Sequence, residues 1–130
     1  MSRPLIEKLS DASGVPFWQQ IRDQIAAQIG TGRLPPGAPL PSIRELAADA
    51  LVSVITVKKA YEELEHLGLV YSRQGRGTFV AEAGADAARD KAQTDVLDAL
   101  DGVVGKAAAA GVARRRLEDG FAEAVSRRYP

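Results

Sequence analysis

The hydrophobic pattern is most regular between residues 52 and 68. There Val57, Ala60, Tyr61, Leu64 and Leu67 recur at the i, i+3, i+4, i+7 spacing of an amphipathic helix. Ser53 stands where an N-cap belongs, Val52 can staple onto Val57, and Gly68 offers a C-terminal stop. Upstream, Phe17, Ile21, Ile25 and Ile29 form a stripe down another helix. Trp18 lies at its rim, Pro16 at its start and Gly30-Thr31-Gly32 at its end. Arg33 to Pro41 holds four prolines in nine residues, which forces an extended, turning connector anchored by Leu34 and Leu40. Ser42-Ile43-Arg44-Glu45 reads as a capping box. It opens a short helix over 42–50 with Ile43, Leu46, Ala47 and Ala50 inward, and Ala50-Leu51-Val52 turns into the longer helix. A short helix, a tight turn and a longer helix give helix-turn-helix spacing.

After Gly68 the residues become strand formers. Leu69 to Gln74 and Thr78 to Ala81 read as two strands around the tip Gly75-Arg76-Gly77. Coming directly after a helix-turn-helix, this hairpin completes a winged helix. The first fifteen residues carry less pattern: Leu5, Ile6 and Leu9 suit a helical turn or a strand, and Ser10 to Gly14 a loop. Residues 1–82 are therefore expected to form a winged helix-turn-helix domain and 83–130 a helical segment, with a short linker over Glu82 to Ala85. From about Asp86, Leu97, Leu100, Val104, Ala107 and Gly111 fall on one broad helical face, with Val96 and Val103 beside them. A last helix, 113–128, turns Leu117, Phe121, Ala124 and Val125 inward. The fold class is mainly α with a small β-hairpin. Two helices of this size bury little alone and need a partner, either the winged domain or another subunit.

Charge changes the picture only locally. Lys+Arg and Asp+Glu both number 17, so a nucleic-acid binder of this balance must concentrate its cations on one face. The long helix carries Lys58 and Lys59 early and Glu62, Glu63 and Glu65 late, against the order its macrodipole favours. That order, with Ser53 and Thr56 beside the lysines, suits an N-terminal end meeting a polyanion, as a recognition helix does in a DNA major groove. A plain surface helix with Lys58–Glu62 and Lys59–Glu63 pairs is the other reading. Arg44, in the first turn of the short helix, is either a phosphate or base contact or a surface arginine paired with Asp49 or Glu45. Arg76 presents a single cation between two glycines that let the backbone approach closely, as arginines do at narrow minor grooves, or it is an incidental basic tip. Arg114 to Arg116 and Arg127 to Arg128 read as a solvated face.

Taken in order, the motifs resemble a known family. They are Pro-x-x-x-Gln-Ile at 16–21, Gly32-x-Leu34-x-Pro36-Gly37, Leu40-Pro41-Ser42-x-Arg44-x-Leu46-Ala47, Thr56-Val57-x-x-Ala60-Tyr61-x-x-Leu64-Glu65 and Gly75-x-Gly77-Thr78-Phe79-Val80. They are similar to those of the GntR family of bacterial transcription regulators. Tyr61, the wing and the short remainder resemble its YtrA subfamily. The resemblance covers residues 16–81. It implies a winged-helix DNA-binding domain acting in a dimer on a palindromic operator, with DNA contacts at Arg44, Ser53, Val54, Ile55, Thr56, Lys58, Gly75, Arg76 and Gly77. Two positions depart from the pattern. Val54 and Ile55 stand where many relatives hold arginine, asparagine or threonine, which leaves them apolar contact with thymine methyls. Leu51 replaces a glycine common in the turn. In the subfamily the short helical tail is the dimerisation element. Here its interface is expected to centre on Leu97, Leu100 and Val104, with Leu117 and Phe121 closing over them.

Composition narrows the function further. Without cysteine, disulfide frameworks and thiolate metal sites are excluded. No nucleophile motif or cluster with metal-ligand spacing points to an enzyme, a metal or a cofactor. No apolar run reaches a membrane span and Met1 to Pro4 does not begin a signal peptide, so a cytoplasmic location is expected. The expected function is a sequence-specific regulator, a repressor, binding double-stranded operator DNA as a homodimer. The alternative is a winged-helix protein–protein interaction module without specific DNA binding. A non-specific architectural protein fits poorly with zero net charge. An unidentified small-molecule effector stays open as a further partner.

Overall fold

The computed structural model describes residues 3, 4 and 6–130. Along the chain run α1 (Phe17–Gly30), α2 (Ile43–Ala50), α3 (Val54–His66), β1 (Val70–Arg73), β2 (Gly77–Val80), α4 (Gly84–Ala109) and α5 (Arg114–Arg128). The contacts divide the chain into two units, Met1–Lys91 and Ala92–Pro130. Among the described residues no helix is long and apolar enough to cross a membrane.

In the first unit α1 packs on α3, α2 on α3, and α3 against β1. The stripe Ile21, Ile25 and Ile29 is fully buried, and so are Val57, Ala60 and Leu64 of α3. Those two stripes form the middle of the core, because each helix keeps its apolar residues on one face and must cover them. Leu34 and Leu40 pin the proline-rich connector into the same core, beside Leu69, Val70 and Val80.

The connector also joins the wing. β1 and β2 pair antiparallel in the register Val70↔Val80 to Arg73↔Gly77. On the other side of β2, Gly37 N–H donates to the Val80 carbonyl, Leu40 N–H to the Thr78 carbonyl and Val80 N–H to the Ala38 carbonyl, at 2.8, 2.8 and 2.9 Å. Pro39 pairs with Phe79 in this bridge. It occupies a position where no ladder donor is required, which is where an antiparallel pair tolerates proline.

Three local expectations change. Leu5 lies outside the described residues; Ile6 and Leu9 form neither helix nor strand, yet both pack against the core. Several backbone groups between residues 7 and 15 are satisfied by side chains instead of a ladder. Gln20 accepts from Ser10 N–H and donates to the carbonyls of Ser10 and Val15, while Gln24 accepts from Glu7 N–H. The stretch 82–85 is not a free linker, since α4 begins at Gly84. A Cβ there would lie 2.9 Å from the Leu69 carbonyl oxygen and 3.2 Å from Ile29 Cγ2, so only glycine lets the helix start so close. Ala88 enters the core one turn later, and Arg89 donates to the Gly30 carbonyl. Gly111 lies beyond α4, in the turn where Val112 N–H reaches the Ala107 carbonyl, and is not part of the helical stripe.

Candidate nucleic-acid interface

The N-terminus of α3 is closed by its own hydroxyls. Ser53, with extended backbone, accepts from Thr56 N–H at 3.1 Å, and the Ser53 and Thr56 hydroxyls share a 2.8 Å hydrogen bond. Thr56 is half-buried and its hydroxyl serves the cap. Val54 and Ile55 point outward, 44% and 77% exposed.

The two lysines that follow differ. Lys59 bridges to Glu63 at 3.0 Å, and its ammonium lies 5.2 Å from the Trp18 ring, which Arg22 also approaches at 5.3 Å. The hydrogen bond from Lys59 lowers the pKa of Glu63. The Lys58–Glu62 pair does not form; Lys58 is exposed and without a charge partner among the described residues. One lysine is held back against the domain and the other is left for solvent.

At the start of α2 the capping box is complete, Ser42 accepting from Glu45 N–H and Glu45 from Ser42 N–H. Asp49 pairs with Arg3 at 3.2 Å. Both carboxylates that could neutralise Arg44 are therefore engaged, and Arg44 is exposed without a partner among the described residues. Leu51, the C-cap of α2, takes φ 57° and ψ 46° with its side chain 91% exposed.

At the wing tip Gly75 and Gly77 have φ 76° and 117°, conformations that side chains resist. Arg76 between them is exposed, and its guanidinium is also unpartnered among the described residues. Arg44, Arg76 and Gly77 line one open cleft of about 520 Å³, together with Pro41 and Tyr61. Two free guanidinium groups on one cleft, with a further free ammonium on the first turns of α3, suit a polyanion such as a nucleic-acid backbone.

The second unit has a different surface. None of residues 92–130 is buried. Leu97 and Phe121 are 64% and 52% exposed, and Leu100, Val104 and Val125 are exposed beside them. Leu100, Val103, Val104, Val112, Leu117 and Phe121 line an apolar cleft of about 580 Å³ between α4 and α5. Four of the five expected interface residues are thus gathered, while Leu97 lies outside the lining.

Residues 17–80 match the model of the bacterial regulatory proteins of the gntR family. The chain is 41% identical over 88 residues to the uncharacterised HTH-type transcriptional regulator YhcF of Bacillus subtilis, covering 66% of this chain and 73% of that protein. It is 32% identical over 116 residues to the HTH-type transcriptional repressor YtrA of Bacillus subtilis, covering 89% of each. The chain belongs to the GntR family. Within that family it falls in the YtrA subfamily, and it is a DNA-binding transcription regulator rather than an enzyme. Solved structures agree with this placement. A transcriptional regulator from Oenococcus oeni superposes with TM-score 0.72 at 29% identity, over 85% of this chain and 92% of that one. The GntR-family factor YtrA from Sulfolobus acidocaldarius gives 0.55 at 36%, over 75% and 97%. The AraR DNA-binding domain in complex with operator ORX1 gives 0.51 at 35%, over 61% and 94%. In this GntR head, residue patterns alone missed Arg3, which occupies Asp49, and the Trp18 contact that retains Lys59. Neither has a local signal, because the partners stand 46 and 41 positions apart.

Proposed function

We propose that the chain is a cytoplasmic homodimeric repressor that binds a palindromic operator. α3 enters the major groove N-terminus first, Lys58 and Arg44 contact phosphates, and the wing tip Gly75-Arg76-Gly77 meets the adjacent minor groove. Ser53 and Thr56 hold the tip of α3 in shape, and Val54 and Ile55 face the bases. The observation that carries this reading is the selective freedom of three cations. Arg44, Lys58 and Arg76 are unpaired among the described residues, while Lys59 and the carboxylates nearest Arg44 are committed elsewhere. The dimer rests on the second unit, whose α4 and α5 leave large side chains uncovered. Contiguous exposed apolar surface of this kind marks an interaction site. Two heads joined in this way bind two half-sites, making the second contact effectively intramolecular.

The test combines a gel shift on duplexes selected by the protein from a random pool with sedimentation at micromolar concentration. A dimer that prefers an inverted repeat over its scrambled version supports the proposal. Binding to neither duplex would favour a protein-interaction module. Equal binding to both would make the protein an unspecific DNA coat.

A further inference from the structure

The first turn of α3 carries an apolar pair that the fold does not use. Val54 and Ile55 occupy its first two helical positions and stay 44% and 77% exposed, outside the core cluster. Both are β-branched, a class of modest helix propensity, so helix stability does not account for them. The polar groups around them are already engaged. The Ser53 hydroxyl accepts from Thr56 N–H and shares a hydrogen bond with the Thr56 hydroxyl. Lys59 is drawn back to Glu63 and Trp18. Lys58 remains, and in the operator-binding reading its ammonium is committed to a phosphate. The tip that would meet the bases therefore presents methyl groups and little hydrogen-bonding capacity. In the major groove, the apolar feature that distinguishes base pairs is the thymine 5-methyl group.

We infer that Val54 and Ile55 are specificity-determining residues that read thymine 5-methyl groups, Ile55 taking the larger share because it projects further. The inference rests on the operator-binding reading above. At the positions under these two side chains the half-site is set by T·A pairs rather than by hydrogen bonds to purine edges. Each methyl contact is worth roughly fourfold in affinity, the equivalent of burying one methyl-sized group.

Deoxyuridine tests this directly, because it removes the methyl and keeps every hydrogen-bonding group of the base edge. The full-length protein first selects its site from a random duplex pool. Each thymine of that site is then replaced in turn, and affinity is measured for the parent, Ile55→Ala and Val54→Ala. At one or two thymines per half-site uracil should weaken the parent roughly fourfold, and the same replacement should cost at least one of the variants nothing. Unchanged melting of both variants, expected from their exposure, excludes a folding effect. Uracil without effect at every thymine, or equal losses in parent and variants, would overturn the inference and leave operator binding intact. A parent that enriches no site would remove both.

Discussion

The phenol of Tyr61, on α3, donates a 2.7 Å hydrogen bond to the carbonyl oxygen of Pro41, the residue just before the cap of α2. This bond ties the start of one helix of the DNA-binding pair to the middle of the other, and so sets where Arg44 projects. Tyr61 is only 6% exposed. Burial, and then the charge of Glu45, push its pKa far above the ordinary tyrosine range, with Arg3 pulling weakly the other way. Tyr61→Phe should cost about 1 kcal/mol in urea unfolding, because the Pro41 carbonyl loses its partner. A raised pKa contributes stability that is intact below the unfolded value, about 10, and is lost as pH rises beyond it. The parent's melting temperature should therefore fall above about pH 10, and that of Tyr61→Phe less steeply. Identical alkaline slopes would show that the buried phenol contributes nothing.

Arg44→Ala and Lys58→Ala should each weaken operator binding with melting temperature unchanged, since neither side chain has a partner to lose among the described residues. Each should also flatten the dependence of log affinity on log salt by roughly one unit for every phosphate contact removed. Arg76→Ala should lose most on operators with A·T-rich flanks, where the minor groove is narrow. If Arg44→Ala and Lys58→Ala both bind like the parent at moderate salt, the wrong face has been assigned.

Leu51 is the one non-glycine residue with positive φ among the described residues, and its side chain is almost wholly in solvent. A left-handed conformation costs a side-chain-bearing residue about 1–2 kcal/mol, and no burial offsets it here. Glycine would relieve that cost while adding about 0.5–1 kcal/mol of freedom to the unfolded chain. Leu51→Gly should therefore stabilise the protein modestly and raise its melting temperature by a few degrees. A drop in melting temperature would mean that the leucine packs against something in solution.

Leu100→Asp should yield a monomer by sedimentation and cost most of the operator affinity, by placing an unpaired charge on the apolar surface between α4 and α5. Shortening the chain should do the same, provided the cut follows Lys91. A cut after Gly84 would strip Ala88 from the core and remove the Arg89 contact to Gly30, lowering head stability as well. A Leu100→Asp variant that still sediments as a dimer would place the interface elsewhere.

What the residue pattern reveals here is what short-range physics controls. The caps at Ser42 and Ser53 and the stripe Ile21, Ile25, Ile29 depend on residues three or four apart, and all were legible. At the wing, the turn Gln74-Gly75-Arg76 lies one residue earlier than the composition suggests, because Gly77 pairs with Arg73. The cations of the site were recognisable as residues. Which of them stay free was not, since Arg3 on Asp49 and Trp18 on Lys59 act across distant parts of the chain. The docking of Gly84 and Ala88 was hidden for the same reason. A helix start looks alike in sequence whether it leaves the domain or presses into it.

The proline-rich connector also has a consequence for association. A hairpin of two four-residue strands is marginal in water by itself. In this molecule β2 is held on its second side by Gly37, Ala38 and Leu40, and the prolines restrict how that support can move. The wing is preorganised: the entropy of ordering it falls on folding, and less remains to oppose binding when Arg76 meets DNA. Loosening the connector, with Pro39→Gly for instance, would transfer that cost from folding to complex formation. The cations would be unchanged, and the complex would still be weaker.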